Sequence, residues 1–167
     1  RAQVQRADDV LLLLDQIERS ALSAESAQRG YFITLDPRYI EPYQRSRTQV
    51  SDALGELDRA LGEDASKAQR QHYDSVVAAL DDKFGELDET IGMVDQGKIL
   101  DARRRILEGA GYNAMQRLTA AINRLSDIEN RRRHANWRSR ATVRTCWRKS
   151  STTGSRTCSR WCLPSSR

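Results

Sequence analysis

Val10, Leu14, Ile17, Ala21, Ala24, Gln28, Tyr31 and Leu35 follow one another at steps of 4, 3, 4, 3, 4, 3 and 4 residues. A strand alternates its faces every second residue, so it cannot use such a pattern. A long helix can, if an apolar seam faces other helices along its length in near-parallel, left-handed packing. One member of the seam, Gln28, is polar. Three more stripes repeat the pattern. Tyr43, Arg47, Val50, Leu54, Leu57 and Leu61 make the second, with Arg47 as its polar member. Tyr73, Val77, Leu80, Phe84, Leu87, Ile91 and Val94 make the third. Met115, Leu118, Ile122 and Leu125 make the fourth, whose helix starts earlier, near Ile99–Ile106.

The interruptions set the topology. Asp36-Pro37 reads as a helix N-cap followed by the first helical position, where proline loses nothing by lacking an N–H. Leu35 and Ile40 then fall at the two hydrophobic-staple positions. Leu61–Ser66 (LGEDAS) supplies a glycine stop and a cap at Asp64 or Ser66, and Asp95–Lys98 (DQGK) stops at Gly97. Short turns make successive helices antiparallel. The expected fold is therefore all-α: an antiparallel up-down-up-down four-helix bundle with long, coiled-coil-like helices. They fall at about 4–35, 37–61, 65–95 and 99–134, and both chain ends lie at one pole. Gly109 and Gly111 either kink the fourth helix, split it, or permit close helix contact, and the sequence leaves that choice open.

Charge divides the chain in two. Residues 1–136 carry 20 Lys/Arg and 23 Asp/Glu, whereas residues 137–167 carry 8 Lys/Arg and no acid. The net charge of +5 thus comes from the last segment, and no nucleic acid is expected to bind the bundle. Cys146, Cys158 and Cys162, and Trp137, Trp147 and Trp161, also lie there. Residues 1–136 are read as one domain and 137–167 as a disordered or out-of-frame basic tail. A chain beginning at Arg1 reads as a fragment or processed form. No run approaches the ~20 apolar residues of a membrane span.

The stretch Ser26–Tyr43 (SAQRGYFITLDPRYIEPY) resembles the signature of the CHASE family of extracellular sensory domains, specifically its third class. Leu87–Leu118 resembles that family's Gly-rich start of its last helix. Ile122–Arg133 (INRLSDIENRRR) resembles its exit, with a Glu near the membrane-proximal end. The resemblance covers about residues 8–133. It implies the input module of a bacterial membrane-bound signalling protein, held between two membrane spans on the periplasmic or extracellular side of the inner membrane. The output would be a histidine kinase, a chemotaxis transducer or a nucleotide cyclase. A stimulus would displace the first helix against the last. A parallel homodimer is expected, since two-fold symmetry lets paired spans drive paired outputs. Two features depart from this pattern: no span follows Arg133, and the Arg-rich 131–140 stretch falls at the supposed outer face, contrary to the positive-inside rule.

Within the tip block, Tyr31, Tyr39 and Tyr43 with Arg29 and Arg38 are candidate ligand contacts, because tyrosine and arginine together suit polar recognition. The alternative is that Tyr31 and Tyr43 pack in the bundle end while the arginines stay solvated, Arg29 pairing with Glu25 four residues earlier. Gly30, Asp36, Pro37 and Pro42 are read as structural turn residues. Gln28 and Arg47 either meet a polar ligand or fix register, and an outward-snorkelling Arg47 fits better. His72 lacks the neighbouring lysine of a phosphoacceptor. His134 with the three cysteines has no common zinc spacing, so neither metal nor cofactor is expected. No nucleophile-and-base pair or phosphate loop suggests an enzyme. A second functional class stays open: a soluble helical scaffold whose basic tail touches nucleic acid or lipid.

Overall fold

The computed structural model describes residues 2–152, and side chains over residues 5–135. Among them run five α-helices: α1 (Ala2–Thr34), α2 (Ile40–Leu61), α3 (Lys67–Asp95), α4 (Ile99–Leu107) and α5 (Ala110–Thr152). A single 3-10 turn, Pro37–Tyr39, joins α1 to α2. No strand occurs among the described residues. The architecture is the expected antiparallel four-helix bundle, with α4 and α5 sharing the fourth position.

Cross-helix contacts fix the register. At the pole holding the start of α1, Arg6 meets Asp64 of the α2–α3 turn and Arg133 of α5 meets Asp8, both at 3.1 Å. Halfway along, Thr119 donates to Glu18 at 2.8 Å, tying α5 to α1, and Ser46 meets Ser23 at 3.1 Å, tying α2 to α1. At the far pole the Tyr31 hydroxyl donates to Asp95 at 2.6 Å. Helix α1 is the shared wall: it packs against α2, α3 and α5.

The predicted α1 seam is buried from Val10 through Gln28, whereas Tyr31 is half-buried and Leu35 is exposed. The third stripe is shifted by one helical row. Its most buried line is Val76, Leu80, Lys83, Leu87, Thr90 and Val94, again at steps of 4, 3, 4, 3 and 4. Tyr73, Val77 and Ile91 are only half-buried. The fourth stripe continues beyond Leu125 to Glu129, which is 1% exposed.

Several expected boundaries move. Asp36 caps a 3-10 turn rather than α2 itself, accepting the Arg38 N–H at 2.9 Å, and α2 begins only at Ile40. Leu35 takes a left-handed φ of 56° and leaves its side chain exposed, so the expected Leu35–Ile40 staple does not close. Gly30 lies inside α1, not in the turn, and Pro42 sits in the first turn of α2, where amides have no partner in any case. Ser66 is the α3 cap, forming a reciprocal capping box with Gln69. Gly109 adopts φ 76°, which splits the fourth helix into α4 and α5. Helix α5 does not end where the basic tail was expected to begin. It runs to Thr152, because no glycine or proline interrupts it between Gly111 and Gly154. Residues 153–167, with Cys158, Cys162 and Trp161, lie outside the described residues.

One substitution tests the split with opposite signs at two places. Gly109→Ala forces a Cβ into left-handed backbone and should lower stability by about 1–2 kcal/mol. Gly55→Ala, on the exposed side of α2 with nothing within 4 Å, should raise it by about 0.5–1 kcal/mol. Urea unfolding of both variants checks the pair.

Candidate functional site

The five tip residues do not converge on one cavity. Arg38 folds back onto Asp36, its guanidinium 2.6 Å from the carboxylate; this ion pair and the backbone hydrogen bond lower the Asp36 pKa. Arg29 pairs with Glu25 along α1. Tyr39 lies over Gly30 so closely that a Cβ there would collide with its ring, which explains the glycine inside a helix. Tyr31 reaches Asp95, and this hydrogen bond to a carboxylate raises its pKa.

Tyr43 is buried and anchors the α2–α3 seam. Its hydroxyl donates to Asp88, and its ring lies 6.2 Å from that of Phe84. Arg47 pairs with the same Asp88 and stands 5.8 Å over the Phe84 ring, its side chain 53% exposed. The outward reading of Arg47 thus matches its position. Burial first, and the Asp88 carboxylate second, raise the Tyr43 pKa. His72 is half-buried on α3, and His134 is exposed. Among the described residues no three His, Cys, Asp or Glu side chains group as metal ligands.

A different cluster occupies the interior, about two to three helical turns from the tip. Lys83 is fully buried. Its ammonium lies 2.9 Å from Glu25 Oε2 of α1, donates to the Gly111 carbonyl of α5 at 3.0 Å, and lies 3.8 Å from Glu86 Oε2. Gln28, 4% exposed, completes the α1 side. Between them lies a cavity of about 60 Å³, bordered also by Leu87, Ile106 and Tyr112. Space at Gly111 is tight: a Cβ would stand 2.8 Å from Glu86 Oε2, and the carboxylate would have to shift. A second buried polar pair, Gln69 Nε2 donating to Glu129, closes the core near the opposite pole, where Arg132 approaches Glu129 at 3.5 Å. Outside the core, an open groove of about 560 Å³ separates α3 from α4, with Glu89, Met93, Lys98, Asp101 and Arg104 on its walls.

Sequence reasoning missed Glu25, Lys83 and Glu86 as core residues. A signal existed: Val76, Leu80, Lys83, Leu87, Thr90 and Val94 have heptad spacing, but two polar members hid the row behind its more apolar neighbour. Gln28 was singled out and does face the cavity, as does Arg29.

The geometry defines a class of protein: a long antiparallel bundle whose first and last helices meet at one pole, with α5 continuing past it. The CHASE3 domain family model matches residues 1–138, and the chain belongs to that family. It is a sensory input module. The crystal structure of the Rhodopseudomonas palustris histidine kinase HK9 sensor domain is similar in fold, with a TM-score of 0.67 at 20% identity, covering 74% of this chain and 94% of that one. No curated protein matches the chain by sequence.

Two outcomes follow. Lys83→Met leaves Glu86 in the core without a cation and Glu25 with Arg29 alone, and should cost about 3 kcal/mol. Adding Glu25→Gln should recover part of that loss in a double-mutant cycle measured by urea unfolding. Tyr43 concerns alkaline stability. An unfolded tyrosine titrates near pH ~10, and the folded one holds its proton above that. The Tyr43 contribution is therefore whole below about pH 10 and is lost as pH rises further, since the folded state then binds more protons than the unfolded. In Tyr43→Phe, the fall of the urea midpoint above about pH 10 should be shallower.

Proposed function

We propose that this chain is the extracytoplasmic input module of a membrane-bound bacterial signalling protein, with its near pole toward the membrane. Helix α1 continues from one span and α5 toward another, and a cytoplasmic output such as a histidine kinase, chemotaxis transducer or nucleotide cyclase receives the signal. Among the described residues no helix is itself long and apolar enough to cross a membrane. The observation that carries the reading is the Asp8–Arg133 contact: it brings α1 and α5 side by side at one pole, from which α5 projects through residues 134–152, roughly 28 Å at 1.5 Å per residue.

The signal on this reading is a small displacement of α5 against α1. Shifts of ~1–2 Å are typical of switching helix interfaces. The α1–α5 contact includes a hydrogen bond between Thr119 and Glu18 that such a slide must break or re-form. Tyr31–Asp95 and Tyr43–Asp88 clamp the tip, so motion is referred to the near pole. The module works as a parallel homodimer, its bundle comprising residues 1–136 and the basic segment lying beyond.

Cysteines in place of Glu18 and Thr119, joined by a short bifunctional thiol reagent in the full receptor, should lock output in one state. Equal responses to stimulus in the cross-linked and uncross-linked receptors would falsify the displacement mechanism.

A further inference from the structure

The Lys83 ammonium has three N–H bonds to direct. One faces Glu25 Oε2 at 2.9 Å and one the Gly111 carbonyl oxygen at 3.0 Å. Glu86 Oε2, at 3.8 Å, lies beyond hydrogen-bond reach. Glu86 receives only the Thr90 hydroxyl, 3.3 Å from Oε1, and that hydroxyl also stands 3.0 Å from the Glu86 carbonyl oxygen. Its Oε2 has no hydrogen-bond partner, although the residue is only 8% exposed. A buried carboxylate oxygen left without a donor is costly. This one borders the cavity of about 60 Å³.

The charges around the cavity are unequally served. Glu25 is neutralised from two sides, by buried Lys83 and by Arg29, whose side chain is 61% exposed. Glu86 shares the Lys83 ammonium with Glu25, at the longer distance of 3.8 Å, and has no cation within hydrogen-bond reach. Glu86 Oε2 is therefore open to a further N–H donor, and a charged donor makes the stronger bond to a carboxylate. A metal ion fits poorly, because it needs several oxygen ligands and only Glu86 Oε2 is without a partner here. An anion fits worse, because it would face Glu86 Oε2. Leu87 and Ile106 provide apolar wall. At roughly 10–15 Å³ per water-sized group, the space takes about four to six heavy atoms.

We propose that this cavity is a binding site for a small primary alkylammonium ligand, which donates N–H to Glu86 Oε2 and lays its carbon chain on Leu87 and Ile106. The site joins α1, α3, α4 and α5, so its occupant touches both helices that run to the near pole. Only its role as stimulus rests on the sensory reading above; the binding itself does not.

Calorimetric titration of the purified chain at neutral pH tests it, with n-propylammonium, tetraethylammonium and propionate as probes. The expected result is saturable n-propylammonium binding with a Kd of about 1 mM or tighter, a size reasonable for four heavy atoms. Tetraethylammonium, bulky and without N–H, and propionate, of the wrong sign, should not bind. Glu86→Gln should weaken binding at least about tenfold, the usual weight of a hydrogen bond to a charged group. Gly111→Ala, which fills the space beside Oε2 without changing charge, should weaken it too. Circular dichroism of each variant establishes that it is folded before it is titrated, and either folded variant suffices. No saturable binding of n-propylammonium, equal binding of tetraethylammonium, or wild-type affinity in a folded variant overturns the proposal, the first outcome meaning that the cavity holds only water. Such a failure leaves the α1–α5 cross-linking experiment unaffected, so the two readings fall separately.

Discussion

Helix α1 cannot be stable by itself in water: its buried row from Val10 to Gln28 is apolar at nearly every step, and an isolated helix gains little from propensity alone. Burying that row needs partners on three sides, and α2, α3 and α5 supply them. The rest of the architecture follows from this requirement. The turns at Asp36 and at Gly62–Ser66 need only return the chain, because the seam decides where each returning helix lies. Its small members Ala21 and Ala24 are buried, as are Ser46 and Ala53 of α2, and small side chains let packed backbones approach closely.

Into this apolar frame the chain places a charged group where a leucine would pack. Lys83 occupies a heptad position of α3 and is fully buried. Burial of an ion pair is weak grounds for stability, since desolvation offsets much of the attraction. What it supplies is register: Lys83 accepts no substitute for Glu25 on α1 and the Gly111 carbonyl on α5 without leaving charge unpaired in the core. Gln69 with Glu129 repeats the device near the other end, again between α3 and α5. Two polar pins thus fix α3 against α5 at separate heights.

The break at Gly109 gives the bundle its asymmetry. Without it, α4 and α5 would be one helix. With it, Gly111 lies in the first turn of α5, where its carbonyl meets Lys83, and a groove separates α3 from α4. The joint lies toward the far pole, while α1 and α5 reach the near pole uninterrupted.

The sequence by itself determined the class, the number of long helices, their antiparallel order and the family. Those properties depend on period, on turn chemistry and on a local motif, all of which act between residues near one another in the chain. Val10 to Gln28 and Met115 to Leu125 were legible for that reason, and so was the tip block with Asp36 and Pro37. Tertiary structure alone decided which row of α3 faces inward, since a charged lysine is tolerated in a core only when carboxylates from elsewhere in the chain reach it. It also decided that Gly109 splits a helix rather than bending it, and that Glu86 lies against a cavity. Glu25, Lys83 and Gly111 are brought together by packing over long sequence separations, and no local pattern encodes a meeting of that kind.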